Sequence, residues 1–183
     1  TTTNELGEIT QYQYLDSLHG IQVTTPEGIQ TFTYLNAHGE VVEIVDGLGQ
    51  STRYEYDHNG NLLLTTSATG EKTTQAFNEA DQLITTLDAN GRQVVFSYDL
   101  AGRIFTRTVD PQGINQHTVY GYDAKSQQIS VNENGLETMT KYDLNGHVLL
   151  QVKDPDGIAQ ATQYSFDGLG SQLSKVQGKW LGG

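Results

Sequence analysis

Cysteine is absent from all 183 residues, so neither disulfides nor thiolate metal sites can brace this chain. That excludes the disulfide-stapled miniprotein and the zinc ribbon. Basic residues are scarce: 10 Lys and Arg stand against 22 Asp and Glu, a formal net charge of -12. Binding a phosphate backbone needs clustered cations, so the charge argues against nucleic acid as a partner. It also gives an anionic membrane surface nothing to attract. No apolar run approaches the roughly 18 residues of a spanning helix. The opening TTTNELGEITQ has neither the basic nor the apolar region of a signal peptide. The chain starts on Thr1 rather than Met, as a piece of a longer protein would. Proline is nearly missing, with three residues, and hydrophobic content is a low 36%. Against these shortages stand 20 Gly and 10 Tyr, with frequent Thr, Val and Leu. Such a mix suits short strands joined by glycine turns rather than disorder.

One unit recurs eight times. Its first turn has an aromatic or Leu, then Asp or Asn, two free residues and usually Gly. It occurs as LDSLHG (15–20), LNAHG (35–39), YDHNG (56–60) and FNEAD (77–81). It continues as YDLAG (98–102), YDAKS (122–126), YDLNG (142–146) and FDGLG (166–170). The steps between copies are 20, 21, 21, 21, 24, 20 and 24 residues. A second turn lies between each pair: TPEG, DGLG, SATG, DANG, DPQG, NENG and DPDG, with a degraded eighth copy, KVQG, ending at Gly178. Two turns and two segments of six to ten residues per period predict one β-hairpin per repeat. The expectation is an all-β array of about eight antiparallel hairpins, roughly residues 5–178, forming one curved sheet.

The turn residues have a physical reason. Asp or Asn at the opening position accepts from a backbone N–H two residues on. Gly at the closing position adopts positive φ without a Cβ clash. Ten of the twelve Asp open a turn and fourteen of the twenty Gly close one, which leaves few carboxylates for catalysis. The signature positions are Tyr56, Asp57 and Gly60; Phe77 and Asn78; Tyr98, Asp99 and Gly102; and Tyr122 and Asp123. The last two copies add Tyr142, Asp143 and Gly146, then Phe166, Asp167 and Gly170. Six hairpins also carry aromatics two apart before the turn, for example Tyr54 with Tyr56 and Phe96 with Tyr98. That spacing puts both rings on one face, where neighbouring hairpins could stack them as a ladder.

Chemical sites are thinly supported. Asp154 and Asp156 could form a carboxylate pair for glycoside hydrolysis, but they open and fill a turn. The denser acidic and Gly spacing of calcium-binding repeat loops is missing. His19, His38, His58, His117 and His147 include no His-x-x-x-His pair, and four of the five lie in or beside first turns. No Gly-x-Ser-x-Gly elbow occurs, and GLGQST (47–52) runs into a strand rather than a helix. The reading is therefore of a non-enzyme with no cofactor and no metal. Exposed Tyr faces leave glycan stacking open as a binding mode.

YEYDHNGNL, FSYDLAGRI and YGYDAKSQQI resemble the YD repeat, also called the Rhs repeat, and DPQGINQHTVYGYD and DPDGIAQATQYSFD resemble its second-turn signature. The departures are Leu15 and Leu35 for the aromatic, Asn36 and Asn78 for Asp, and Asp81 and Ser126 for Gly. The family includes bacterial Rhs polymorphic toxins, the B and C components of insecticidal toxin complexes, and animal teneurins. The resemblance implies a section of a spiralling β-shell that encloses a toxic C-terminal segment, in a secreted or cell-surface protein. The implied partners are the rest of the parent shell and its enclosed segment. The alternative is an extracellular glycan- or protein-binding adhesion module. The family's self-cleavage signature is not found, and only KWLGG follows Gly178. Uncapped terminal hairpins would further permit edge-to-edge self-association.

Overall fold

The computed structural model describes residues 1–16, 19–154, 157 and 159–179. The chain forms two compact units, Thr1–Gln93 and Val94–Gly183. The first holds β1 (Thr2–Thr3), β2 (Ile9–Leu15), β3 (Gly20–Thr24), β4 (Gln30–Leu35), β5 (Val41–Val45), β6 (Ser51–Tyr56), β7 (Leu62–Thr66), β8 (Lys72–Phe77) and β9 (Leu83–Leu87). In the second are β10 (Gln93–Tyr98, all but its first residue), β11 (Ile104–Val109), β12 (Gln116–Tyr122), β13 (Gln128–Glu133), β14 (Leu136–Tyr142), β15 (Val148–Lys153), β16 (Gln160–Phe166) and β17 (Gln172–Lys179). Within each unit every strand pairs antiparallel with its sequence neighbour. The all-β hairpin array is as the turn spacing predicts. The additional strand is β1, which reaches β2 through the turn Asn4–Gly7. No aromatic precedes that turn, so it lacks the signature that marks the others. Ser17 and Leu18, in the first copy of the repeat turn, lie outside the described residues.

Few side chains are fully covered. The buried apolar residues among those described are Val109, Val152 and Ala159. A ladder with so thin a core depends on strand hydrogen bonds and cross-strand pairs, and therefore on its turns.

Most turns of both types share one backbone. At Asp57–Asn61 the Asp57 N–H donates to the Asn61 carbonyl at 2.9 Å, the Gly60 N–H returns to the Asp57 carbonyl at 3.3 Å, and Gly60 lies at φ 89°. Asp46–Gln50 and Asp88–Arg92, both second turns, repeat these bonds. This is a type I turn closed by a left-handed residue. The two turn types differ in the strand that leaves them. After the first turn the outgoing strand carries a bulge, so that Tyr56 faces Leu62 but Glu55 faces Leu64. The same shift recurs in seven hairpins, and the residue it leaves unpaired is Val42, Leu63, Ile84, Phe105, Ile129, Leu149 or Leu173. The bulge residue is apolar every time, a rule that turn spacing alone does not reveal.

Three second turns depart from the common form. Asn134 and Gly135 make a two-residue loop with φ 52° and 95°, between the paired Glu133 and Leu136. In DPQG the positive φ belongs to Asp110 and Asn115 and not to Gly113. Gly113 is required there for another reason: a Cβ would overlap the Asp110 carboxylate, whose Oδ2 accepts from the Ile114 N–H at 2.9 Å. Asp154 and Gly157 stand in the same relation, while Pro155, Asp156 and Ile158 lie outside the described residues. The reading of KVQG as an eighth turn is wrong. Gly178 sits inside β17, paired with Ala161, because the strand continues where no residue opens a turn.

Candidate functional site

The row of first turns is where side-chain chemistry concentrates. The opening residue acts twice. Asp57 Oδ1 accepts from the N–H groups of Asn59 and Asn61, both at 2.9 Å. Asn36, Asn78, Asp99, Asp123, Asp143 and Asp167 make the same two contacts in their own turns. Phe77 and Tyr98 precede Asn78 and Asp99 as the last residues of β8 and β10. From the second copy on the closing position is left-handed, as in Gly102 at φ 80°, Gly146 at 91° and Gly170 at 85°, with Asp81 at 56° and Ser126 at 65° in place of glycine; in the first copy His19 takes it at 47° and Gly20 already lies in β3.

In five of these turns the opener's remaining polar atom is matched to the residue four on. Where the opener is Asp the partner donates: Asn61 to Asp57 at 3.0 Å, Arg103 to Asp99 at 2.7 and 2.8 Å, and His147 Nδ1 with Asp143 at 2.8 Å. Where it is Asn the partner accepts: Glu40 from Asn36 at 2.6 Å and Gln82 from Asn78 at 2.9 Å. The Asn departures from the repeat are thus compensated locally. Asn36→Asp should set a carboxylate against Glu40 and destabilise the hairpin by about 1 kcal/mol. The double variant N36D/E40N should recover the loss by recreating the Asp57–Asn61 pair. Urea midpoints of the parent, single and double variants measure this, and equal losses in both variants would refute the matching.

These bonds also set the charge state. The Asn61 amide lowers the Asp57 pKa, Arg103 lowers that of Asp99, His147 that of Asp143, and the Ser171 backbone that of Asp167. A carboxyl held below its unfolded value contributes stability above the unfolded range, about 3.9, and loses it as pH falls through the lower folded value. The thermal midpoint should therefore hold steady down to about pH 5 and drop below about pH 4. A midpoint that stays flat through that lower range would contradict the role given to the turn carboxylates.

The aromatic before the turn links neighbouring hairpins. Tyr56 Oη donates to the Val41 carbonyl, Tyr122 Oη to Ile104 and Tyr142 Oη to Gln128, each at 2.9 Å. The accepting residue opens the preceding strand in each case. There the ladder has stopped: β5 and β6 pair only from Glu43 with Arg53 to Val45 with Ser51. The hydroxyl closes the gap and its burial raises the pKa of Tyr56 and Tyr122. The expected ladder of stacked rings takes this other form, although Phe32 and Tyr34 do stack within β4, with ring centroids 6.4 Å apart.

Further side chains join one first turn to the next. Asn59 and Asn61 donate to Asp81 at 2.8 and 2.7 Å. Arg103 stacks 4.5 Å from the Tyr122 ring centre and donates to the Asp123 carbonyl and Ser126 Oγ. Lys125 reaches the Leu144 carbonyl at 3.3 Å, and the His147 ring stacks on Phe166 at 4.7 Å. Every one of these groups is engaged in holding turns. His117 Nδ1 bonds Thr108 Oγ1 at 2.8 Å. Among the described residues no group of three or more His, Asp or Glu side chains could hold a metal ion. Asp156, one of the two carboxylates weighed for hydrolysis, falls outside them. Gly47–Thr52 forms a turn and the start of β6.

Comparison with known proteins points to the same repeat. No curated protein matches the chain. Among solved structures it resembles the crystal structure of TcdB2-TccC3-TEV with a TM-score of 0.77 at 18% identity, over 97% of this chain and 11% of that one. It resembles the Photorhabdus luminescens Tc holotoxin pore with a TM-score of 0.67 at 16% identity, over 81% of this chain and 9% of the other. TcdB2-TccC3 itself gives 0.67 at 15% identity, over 87% and 9%. The chain therefore spans about a tenth of the length of these structures, and at such identity the likeness is one of fold. The RHS Repeat family model matches residues 36–72 and 77–114, so two units recognised as RHS repeats stand in a chain whose hairpins on either side reuse their turn construction.

Proposed function

We propose that the chain is a non-catalytic wall segment of a hollow β-shell in a secreted toxin, one array whose parent encloses a toxic C-terminal polypeptide. The observation that carries this reading is the fold likeness over 97% of the chain to a stretch of TcdB2-TccC3-TEV about its own length. The site chemistry supports it, because the conspicuous polar side chains are spent on turn-to-turn bonds. The partners are then the flanking shell and its enclosed segment. Electron microscopy of the full native protein tests the proposal. The expected result is a closed particle with this segment in its wall and density inside. An open sheet with no enclosed polypeptide would overturn it. A second reading rests on Tyr12 and Tyr14, which are 47% and 73% exposed. Adjacent exposed rings suit glycan stacking, and glycan-array binding abolished by Tyr14→Ala would favour an adhesion module.

A further inference from the structure

Four Asn-Gly steps lie in exposed turns, at Asn59, Asn90, Asn134 and Asn145. In such a step the glycine nitrogen can attack the asparagine side chain, since no Cβ on the following residue obstructs it. The structure makes the four unequal. Asn134 Oδ1 accepts from the His117 N–H at 2.7 Å, and the attacking Gly135 N–H is held by Asn132 Oδ1 at 2.8 Å. Asn59 Nδ2 is bound to Asp81 at 2.8 Å. At Asn90 and Asn145 no side-chain bond restrains the amide. Their attacking nitrogens differ: Gly91 N lies 3.0 Å from the Asp88 carbonyl, while Gly146 N lies 3.3 Å from that of Asp143. Asn145 thus combines a free side chain with the more weakly held nucleophile.

We propose that Asn145 is the preferred site of spontaneous deamidation in this chain. The Gly146 nitrogen loses its proton to solvent and bonds to Asn145 Cγ. The Cγ–Nδ2 bond breaks and ammonia leaves, giving a succinimide. Water then opens the ring. Attack at Cγ gives aspartate, and attack at the main-chain carbonyl gives isoaspartate, in which the backbone runs through the side chain.

The isoaspartyl product adds one methylene to the backbone between Asp143 and His147. The five-residue closure, in which Asp143 N–H meets the His147 carbonyl at 2.9 Å, no longer fits that path. The His147 ring, which leans on Phe166, is anchored by that closure. Modification at one exposed turn would therefore loosen the joint to the next hairpin.

Incubating the folded chain at physiological temperature and mildly alkaline pH, in oxygen-18 water, tests the proposal. Peptide mass spectrometry with electron-based fragmentation then separates aspartate from isoaspartate. Asn145 should convert several-fold faster than Asn134 and ahead of Asn59 and Asn90, with one oxygen-18 incorporated. Asn145→Gln should suppress the leading product while leaving the thermal midpoint of the fresh protein unchanged. Conversion led by Asn134, Asn59 or Asn90 would overturn the assignment. So would equal rates at all four sites, or an Asn145 that stays intact while an unfolded peptide of the same sequence converts.

Discussion

Replacing Gly60 by valine is expected to lower stability by about 1–3 kcal/mol, because a β-branched residue cannot occupy φ 89° without strain. A Cβ at this position would also come within 2.7 Å of Glu40 Oε1 in the preceding turn, and the Glu40 side chain must move aside. Gly60→Asn separates the two causes. Asparagine tolerates the left-handed region, much as Asp81 and Ser126 already occupy it, so it should keep only the crowding cost. Chemical denaturation of parent, valine and asparagine variants gives the comparison. Three coincident curves would mean that the turn does not hold its hairpin.

A larger loss is expected from the triple variant Y56F/Y122F/Y142F. Each change removes a hydroxyl and leaves a main-chain carbonyl unsatisfied at the open end of a ladder, for about 1 kcal/mol apiece. The three hydroxyls bond to three different carbonyls, so their losses should add to about 3 kcal/mol. The reverse change has a place to be made. Phe77 and Phe166 occupy the same repeat position, and the corresponding carbonyls belong to Leu62 and Val148, which open β7 and β15. Phe77→Tyr should add a link and stabilise. Amide exchange near these joints would show the direction, and a triple variant as protected as the parent would remove the hydroxyls from the account.

The hairpins were legible because turn chemistry is local. An Asp with a Gly three residues on specifies its own backbone, and the aromatic before it marks the strand end. The features that sequence does not show depend on a partner. Asn36 and Asn78 look like weakened copies until Glu40 and Gln82 are seen to reverse the bond. The tyrosine hydroxyl has no sequence signal beyond Tyr against Phe, since its acceptor is a backbone atom about 14 to 18 residues upstream. KVQG misleads because it has a closing glycine without an opening residue. The last three steps, of 24, 20 and 24 residues, have a simple cause: the longer connections after Asp110 and Asp154 lengthen the period and the Asn134–Gly135 loop shortens it. The second RHS match ends at residue 114, inside the first of those loops, where the regular spacing breaks.

The pairing of each strand with its sequence neighbour has a kinetic consequence. No described hairpin waits for a distant segment, so loop-closure entropy is met in small instalments and topology does not slow the chain. Within each unit a hairpin can form and then template the next as the polypeptide leaves the ribosome, in the direction of synthesis. The sheet of each unit would be laid course by course, each row setting on the one before.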